Sequence, residues 1–414
     1  MLHAMLFALA LALAVPATAG PAWEAPLDIA TGRGEKGPWR QNGSRYDYVD
    51  DASVAFTHDG ALVLAWVDQK SRDVWLRRLA PGGRFGAPVN VSRSPATFSW
   101  LPRIAADPSR RGRLCLLWQE IIFSGGSHGG DILFACSSDS GTAISRPLNL
   151  SNSAGGDGKG RRDRRTWSNG SLDLAIGADG GIFAAWTEYH GALWLSRSID
   201  GGASFSQPRR IAGDDERPAR APSLALGPGG SVHLAWTVGE DPQAAIRVAR
   251  SLDAGASFGA PLLVGGGAGA ADAPRLAAGA DGSLHLVYAQ GGAVRHTRAA
   301  PGAGFGPVRT LSSQGAAYPM LAGDGRGTLV AAWESMDASG RPQALGFAVS
   351  RNNGEHFSAP RTVPGSAAPP GGSNGSQQGL LGAKLAVSRD GRIALVNSSL
   401  VPGQRSRVWL MRTR

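Results

Sequence analysis

Residues 223–261 read SLALGPGGSVHLAWTVGEDPQAAIRVARSLDAGASFGAP. An alternating apolar segment runs into a Gly-rich turn. A second alternating segment ends in Ala235-Trp236, and a loop leads to a third. The turn S-x-D-x-G-x-x-F follows at 251–258, and a Pro-led segment closes the unit. Alternation with period two, broken by Gly-rich turns, predicts four antiparallel strands.

The same order recurs along the chain. Residues 171–208 carry Trp186 and the turn SIDGGASF, and residues 103–147 carry Trp118 and SSDSGTAI. Residues 319–360 carry Trp333 and SRNNGEHF. Two units have degraded turns: 53–88 with RLAPGGRF (78–85), and 274–307 with RAAPGAGF (298–305). A seventh unit begins at Lys384 with KLAVS, RIALVN and RVWLMRT, and the sequence ends where its turn should start. Trp23-Glu24-Ala25-Pro26-Leu27 near the N-terminus matches the segment after the turn, as in Phe85-Gly86-Ala87-Pro88-Val89. The repeat therefore closes on itself. Sheets of this kind cannot bury both faces alone, and radial stacking buries each between its neighbours. The expected fold is an all-β propeller of four-stranded blades, seven in number with six as the alternative, closed by the N-terminal strand.

The 414 residues include 59 Gly and 26 Pro, a composition of many tight turns, and only 2 Cys, which excludes a disulfide-stapled mini-domain. Residues 1–19 have a short apolar run ending in Ala17-Thr18-Ala19. They read as a signal peptide cut before Gly20, with residues 20–414 as one exported, secreted or periplasmic, domain. No later apolar run is long enough to span a bilayer. The formal net charge is +10, with the basic residues scattered apart from Arg161, Arg162, Arg164 and Arg165. Scattered charge argues against a nucleic-acid binder and for an acidic glycan or an envelope polymer or protein as partner. The eight His residues show no metal-ligand spacing, so neither metal nor cofactor is expected. Cys115 and Cys136 fall opposite each other if their hairpin centres near residue 125, which leaves a bridge and two buried thiols both open.

The S-x-D-x-G-x-x-[FW] turns, at Ser137/Asp139/Gly141, Ser198/Asp200/Gly202/Phe205 and Ser251/Asp253/Gly255/Phe258, with Asn352 replacing Asp in the fourth, are Asp-box or BNR motifs. Across nearly the whole mature chain the sequence resembles the sialidase superfamily of Asp-box propellers. The boxes themselves suit a structural role, because Ser and Asp bond nearby amides and Gly permits positive φ.

The resemblance implies a glycan-facing funnel on the face opposite the boxes, and a sialidase-type exo-glycosidase if the protein is catalytic. A propeller that binds glycans or an envelope protein without turnover is the alternative. In such enzymes a Tyr nucleophile is activated by a Glu, an Asp serves as acid/base, and three arginines hold the substrate carboxylate. Carried onto this chain, Tyr318 is the nucleophile and Glu334 steadies an arginine, with Asp51 and Glu188 as further catalytic carboxylates. Arg103, Arg165, Arg220 and Arg275 are the arginines that could grip a carboxylate, and Trp100 and Trp167 the aromatics that could stack on sugar. The F-R-I-P signature is missing from the first unit, and SVHLAW and SLHLVY lack the arginines the family places there.

Overall fold

Residues 223–261 contribute to three strands of one antiparallel sheet, Ala219–Leu226, Val232–Val238 and Ala245–Ser251 from channel outward, and Leu262–Gly265 completes it at the rim. The computed structural model describes residues 20–414 apart from 41, 95, 122–129, 153–155, 162–166, 170, 241, 268, 313 and 376–382. The proposed signal segment and Arg165 therefore lie outside the described residues.

Six such sheets follow in chain order. Blade 1 starts at Val49–Phe56, blade 2 at Ser99–Ala106, blade 3 at Leu172–Ile176, blade 4 at Ala219–Leu226, blade 5 at Ala271–Ala278 and blade 6 at Ala316–Gly323. Blade 7 combines Leu385–Val387, Ile393–Val401 and Arg405–Arg412 with the N-terminal strand Leu27–Gly32. The protein is thus a seven-bladed β-propeller, and the six-bladed alternative is excluded.

The second strands are buried almost end to end, as Leu62–Asp68 and Leu114–Glu120 show, because each sheet is covered on both faces. Trp66, Trp118, Trp186, Trp236, Tyr288 and Trp333 occupy one buried position in blades 1 to 6. Burying each of these aromatics contributes about 3 kcal/mol of apolar transfer.

Ring closure follows the sequence match. Leu27 pairs with Leu410, and Trp23 bridges Thr413 as Phe85 bridges Leu79 in blade 1. Asp28 pairs with Arg405 and Arg407, Glu24 pairs with Arg412, and the Trp23 ring stands edge-on to Phe347 at 5.4 Å. Cys115 and Cys136 are in direct register on neighbouring strands of blade 2 and form a disulfide. This settles the question the sequence left open.

The intact turns hold themselves together. Ser251 Oγ donates to Asp253 Oδ1 at 2.7 Å and accepts from Gly255 N at 2.8 Å, while Ser257 N donates to Asp253 Oδ1. Asn352 does the same work as the Asp, accepting from His356 N at 3.0 Å. The degraded turns differ from the sequence alignment. The position of Ser251, opposite Val232, is held by Leu79 opposite Leu62 and by Ala299 opposite Leu284. Arg78 and Arg298 therefore lie one residue before the turn, and both turns are one residue shorter than the intact ones.

Candidate functional site

The loops leading into the inner strands and out of the second strands share the face opposite the S-x-D-x-G turns, as antiparallel connectivity requires. At that face five inner strands are bulged. The register shifts between Asp50 and Ser53, Trp100 and Arg103, Arg220 and Ser223, Asp272 and Arg275, and Ala317 and Met320. The first bulged residue has left-handed backbone in every case: Asp51 (φ 52°), Leu101 (59°), Ala221 (51°), Ala273 (55°) and Tyr318 (50°). Non-glycine residues adopt this conformation at a cost of about 1 kcal/mol or more. A bulge re-aims side chains and ends regular pairing. Here it sets one residue per blade around the mouth of the central channel. Tyr318 is half-buried and packs on Ala221 and Ala273, whose small side chains leave room for its ring.

In blades 1 and 4 the side chain two residues beyond the bulge apex reaches the inner strand of the next blade. Ser53 Oγ accepts from Ile104 N and Ser223 Oγ from Leu276 N. The same column carries Arg103 in blade 2, Asp173 in blade 3 and Arg275 in blade 5. Asp173 accepts from Leu224 N at 2.8 Å. These charges interact across the channel. Burial lowers the pKa of Arg103 to about 10, aided by the Arg275 charge and opposed by Asp173 and Asp51. Burial likewise lowers that of Arg275, against the pull of Asp173. Asp173 is raised by burial, with Arg275 and Arg103 opposing. Asp51 is buried and raised well above the usual carboxylate range. Burial is the main cause and the Asp50 charge the second, with Arg103 and Lys384 pulling the other way.

The sequence-derived residues separate into those the channel gathers and those it does not. Tyr318, Asp51, Arg103 and Arg275 belong to the channel mouth and wall. Glu334 pairs across the strand with Ala317, the residue before Tyr318. The expectation that it steadies an arginine is corrected: its partner is Lys384, with Nζ 2.7 Å from Oε1, and Asn397 Nδ2 donates to both carboxylate oxygens. Arg220 is buried and held by Asp272 at 2.5 Å. Burial raises the Asp272 pKa, but the Arg220 charge and hydrogen bond bring it below normal overall. Arg220 is therefore a wall ion pair. Glu188, on the loop leaving the second strand of blade 3, accepts from Trp194 Nε1 at 3.1 Å. Trp100 is buried, donates to Gln69 Oε1 at 3.2 Å, and lies against the half-exposed Trp39, with centroids 5.5 Å apart. Trp167 lies in the two-stranded ribbon Lys159–Arg161 with Trp167–Asn169. Asp173, Asp272 and Lys384 were missed. The signal available was positional: Asp173 occupies the repeat column of Ser53 and Ser223.

Among the described residues no cluster of three or more His, Cys, Asp or Glu side chains could hold a metal ion. No helix among them is long and apolar enough to cross a membrane.

No family model and no curated protein matches the chain. Solved structures do. An ulvan lyase of polysaccharide lyase family PL25, bound to -[GlcA(1-4)Rha3S]-, superposes with a TM-score of 0.57 at 12% identity, over 87% of this chain and 94% of its own. The polysaccharide lyase Uly1 gives 0.55 at 12% identity, over 95% and 99%. A protein of unknown function from Dyadobacter fermentans gives 0.52 at 14% identity, over 79% and 100%. At these identities the likeness is one of fold.

Proposed function

We propose that this protein is an exported enzyme that cleaves carboxylated glycans at the channel mouth around Tyr318. The observation that carries the reading is the convergence of charge there. Arg103 and Arg275 share the channel with Asp173, and a carboxyl with a raised pKa, Asp51, stands on the same ring of bulges as Tyr318. Arginines hold a sugar carboxylate with paired hydrogen bonds. The Tyr318 hydroxyl gives its proton to water at the channel mouth as its oxygen attacks the anomeric carbon, and protonated Asp51 donates its proton to the departing glycosidic oxygen. Water then attacks the glycosyl group and gives its proton to the Asp51 carboxylate, and the departing Tyr318 oxygen takes a proton back from solvent. A raised pKa keeps Asp51 protonated closer to neutrality, as a general acid requires.

A second reading is elimination at a uronate, with Tyr318 as the base that removes the proton beside the carboxylate. The similarity to two polysaccharide lyases favours it. The test is to incubate the purified mature protein, beside Tyr318→Phe, with a fluorogenic sialoside and with uronate-containing polysaccharides. Release of the fluorophore supports hydrolysis, and ultraviolet-absorbing unsaturated ends support elimination. Either activity should vanish in Tyr318→Phe. Absence of both in folded protein, with glycan binding retained, would replace the enzyme by a glycan-binding propeller.

A further inference from the structure

The two short turns leave openings that the intact turns fill. In an intact turn the glycine packs on the preceding blade. A Cβ on Gly141 would meet Leu76 of blade 1, one on Gly202 would meet Phe134 of blade 2, one on Gly255 would meet Phe183 of blade 3, and one on Gly354 would meet His285 of blade 5. In the short turns of blades 1 and 5, a Cβ on Gly82 or Gly302 would meet nothing within 4 Å. A cleft of about 560 Å³ opens in front of the blade 5 turn, between blades 4 and 5. Val248, Leu262, Leu284 and Phe305 line it, with His233 and Arg250. The corresponding opening between blades 7 and 1 is smaller, about 240 Å³. Two of the arginines that line it are already paired, Arg392 with Asp390 and Arg412 with Glu24.

Two polar groups of the larger cleft, His233 and Arg250, lack the partners that their repeat positions have in other blades. His233 matches His285, which is fully buried under the blade 6 turn, whereas His233 is only half-buried. Arg250 matches Arg197, Arg78 and Arg298. Arg197 grips the next blade's intact turn through the carbonyls of Asp253 and Ala254. Arg78 and Arg298 pair with Asp59 and Asp281 on the first hairpins of their own blades. In blade 4 that hairpin position is Gly229, and the next turn is the short one. Arg250 has no carboxylate partner among the described residues, and Asp281, which also lines the cleft, is already engaged by Arg298 and Ser283.

We propose that this cleft is a second ligand site, on the face away from Tyr318, for a small amphipathic anion: an apolar chain with one carboxylate. The chain lies along Leu262, Leu284 and Phe305, and the carboxylate meets Arg250 at the rim. The volume is that of a small-molecule site. His233, neutral because burial and the Arg250 charge lower its pKa to about 4, offers the carboxylate a hydrogen bond without adding charge.

The test is calorimetric titration of the full mature protein with decanoate and, separately, with decanol. One decanoate per chain is expected, bound about tenfold more tightly than decanol. Arg250→Gln should remove that preference. Ala260→Trp, at an exposed position on the cleft wall, should block both ligands. Neither change touches the core, and circular dichroism confirms that each variant folds. Absence of saturable decanoate binding, an unchanged preference in Arg250→Gln, or unchanged binding in Ala260→Trp would each overturn the proposal.

Discussion

The Lys384 ammonium lies 2.7 Å from Glu334 Oε1, both side chains almost wholly sealed from water, and so ties blade 7 to blade 6 beside the channel. A second contact, 2.9 Å to Asn397 Oδ1, fixes the ammonium further. Two buried charges that satisfy each other stabilise little against an apolar pair, but removing one strands the other. Lys384→Met should therefore cost about 3 to 5 kcal/mol. Lys384→Met combined with Glu334→Leu should recover most of that loss. Urea denaturation of the three proteins measures both steps. A single variant as stable as the parent would deny the pair its place in the core.

The buried histidines of blade 5 make the fold sensitive to mild acid. His285 Nδ1 lies 3.2 Å from His296 Nε2, and Ser283 Oγ lies 2.8 Å from His285 Nε2. Burial lowers His285 to about 4, helped by the Arg298 charge and opposed by Asp281. Burial lowers His296 to about 3, helped by His285, Arg309 and Arg298. Both folded pKa values lie below the unfolded value of about 6.5. The stabilisation is thus complete above pH ~6.5 and is lost as pH falls toward the folded values. Between pH ~6.5 and 5 the loss should be about 2 kcal/mol for each histidine. His285→Gln with His296→Leu should be less stable at neutral pH but flatter across this window, as measured by denaturation at several pH values.

Closure of the ring depends on residues far apart in sequence. Without residues 20–32, the strand Arg405–Arg412 becomes a bare sheet edge, and Phe347 loses the ring of Trp23. The truncated protein should aggregate or unfold without a sharp transition. Trp23→Ala alone should cost about 2 to 3 kcal/mol, less than a fully buried Trp, because its ring is only partly covered. Asp28→Asn breaks only exposed ion pairs and should cost less than about 1 kcal/mol, fading in high salt. Thermal melts order the three. A truncated chain that melts like the parent would show that blade 7 stands without its fourth strand.

The repeat, the blade number and the closing strand were legible because each rests on local alternation, a turn signature and one matched segment. The match of Trp23 to Phe85 is the clearest case. What failed was register. In the sequence, 78–85 and 298–305 match the eight-residue motif with Arg78 and Arg298 at the Ser position, whereas strand pairing places Leu79 and Ala299 there. The site was legible as a face and not as a set of partners. Arg220 and Asp272 lie one repeat apart, and Lys384 and Glu334 come from different blades, so only the closed ring brings each pair together. Nothing local to Glu334 distinguishes a lysine partner from an arginine.

If Asp51 donates the proton, its neighbours set the pH range of the reaction. A general acid works while protonated, so the rate should fall as pH rises through the Asp51 pKa. Burial puts that pKa well above the usual carboxylate range, and the negative charge of Asp50 lifts it further. Asp50→Asn removes the second cause and leaves the first. The basic limb of kcat/KM should then move to lower pH, with the maximal rate little changed. Gln69, which donates to Asp50 Oδ1 at 3.1 Å, can still bond the amide oxygen, so the local structure is kept. Asp51→Asn should abolish the limb and most of the rate together. Glycan cleavage measured from pH ~4 to 9 resolves the limb. A limb that stays in place in Asp50→Asn would assign it to another group and leave Asp51 as a structural carboxylate of the channel wall.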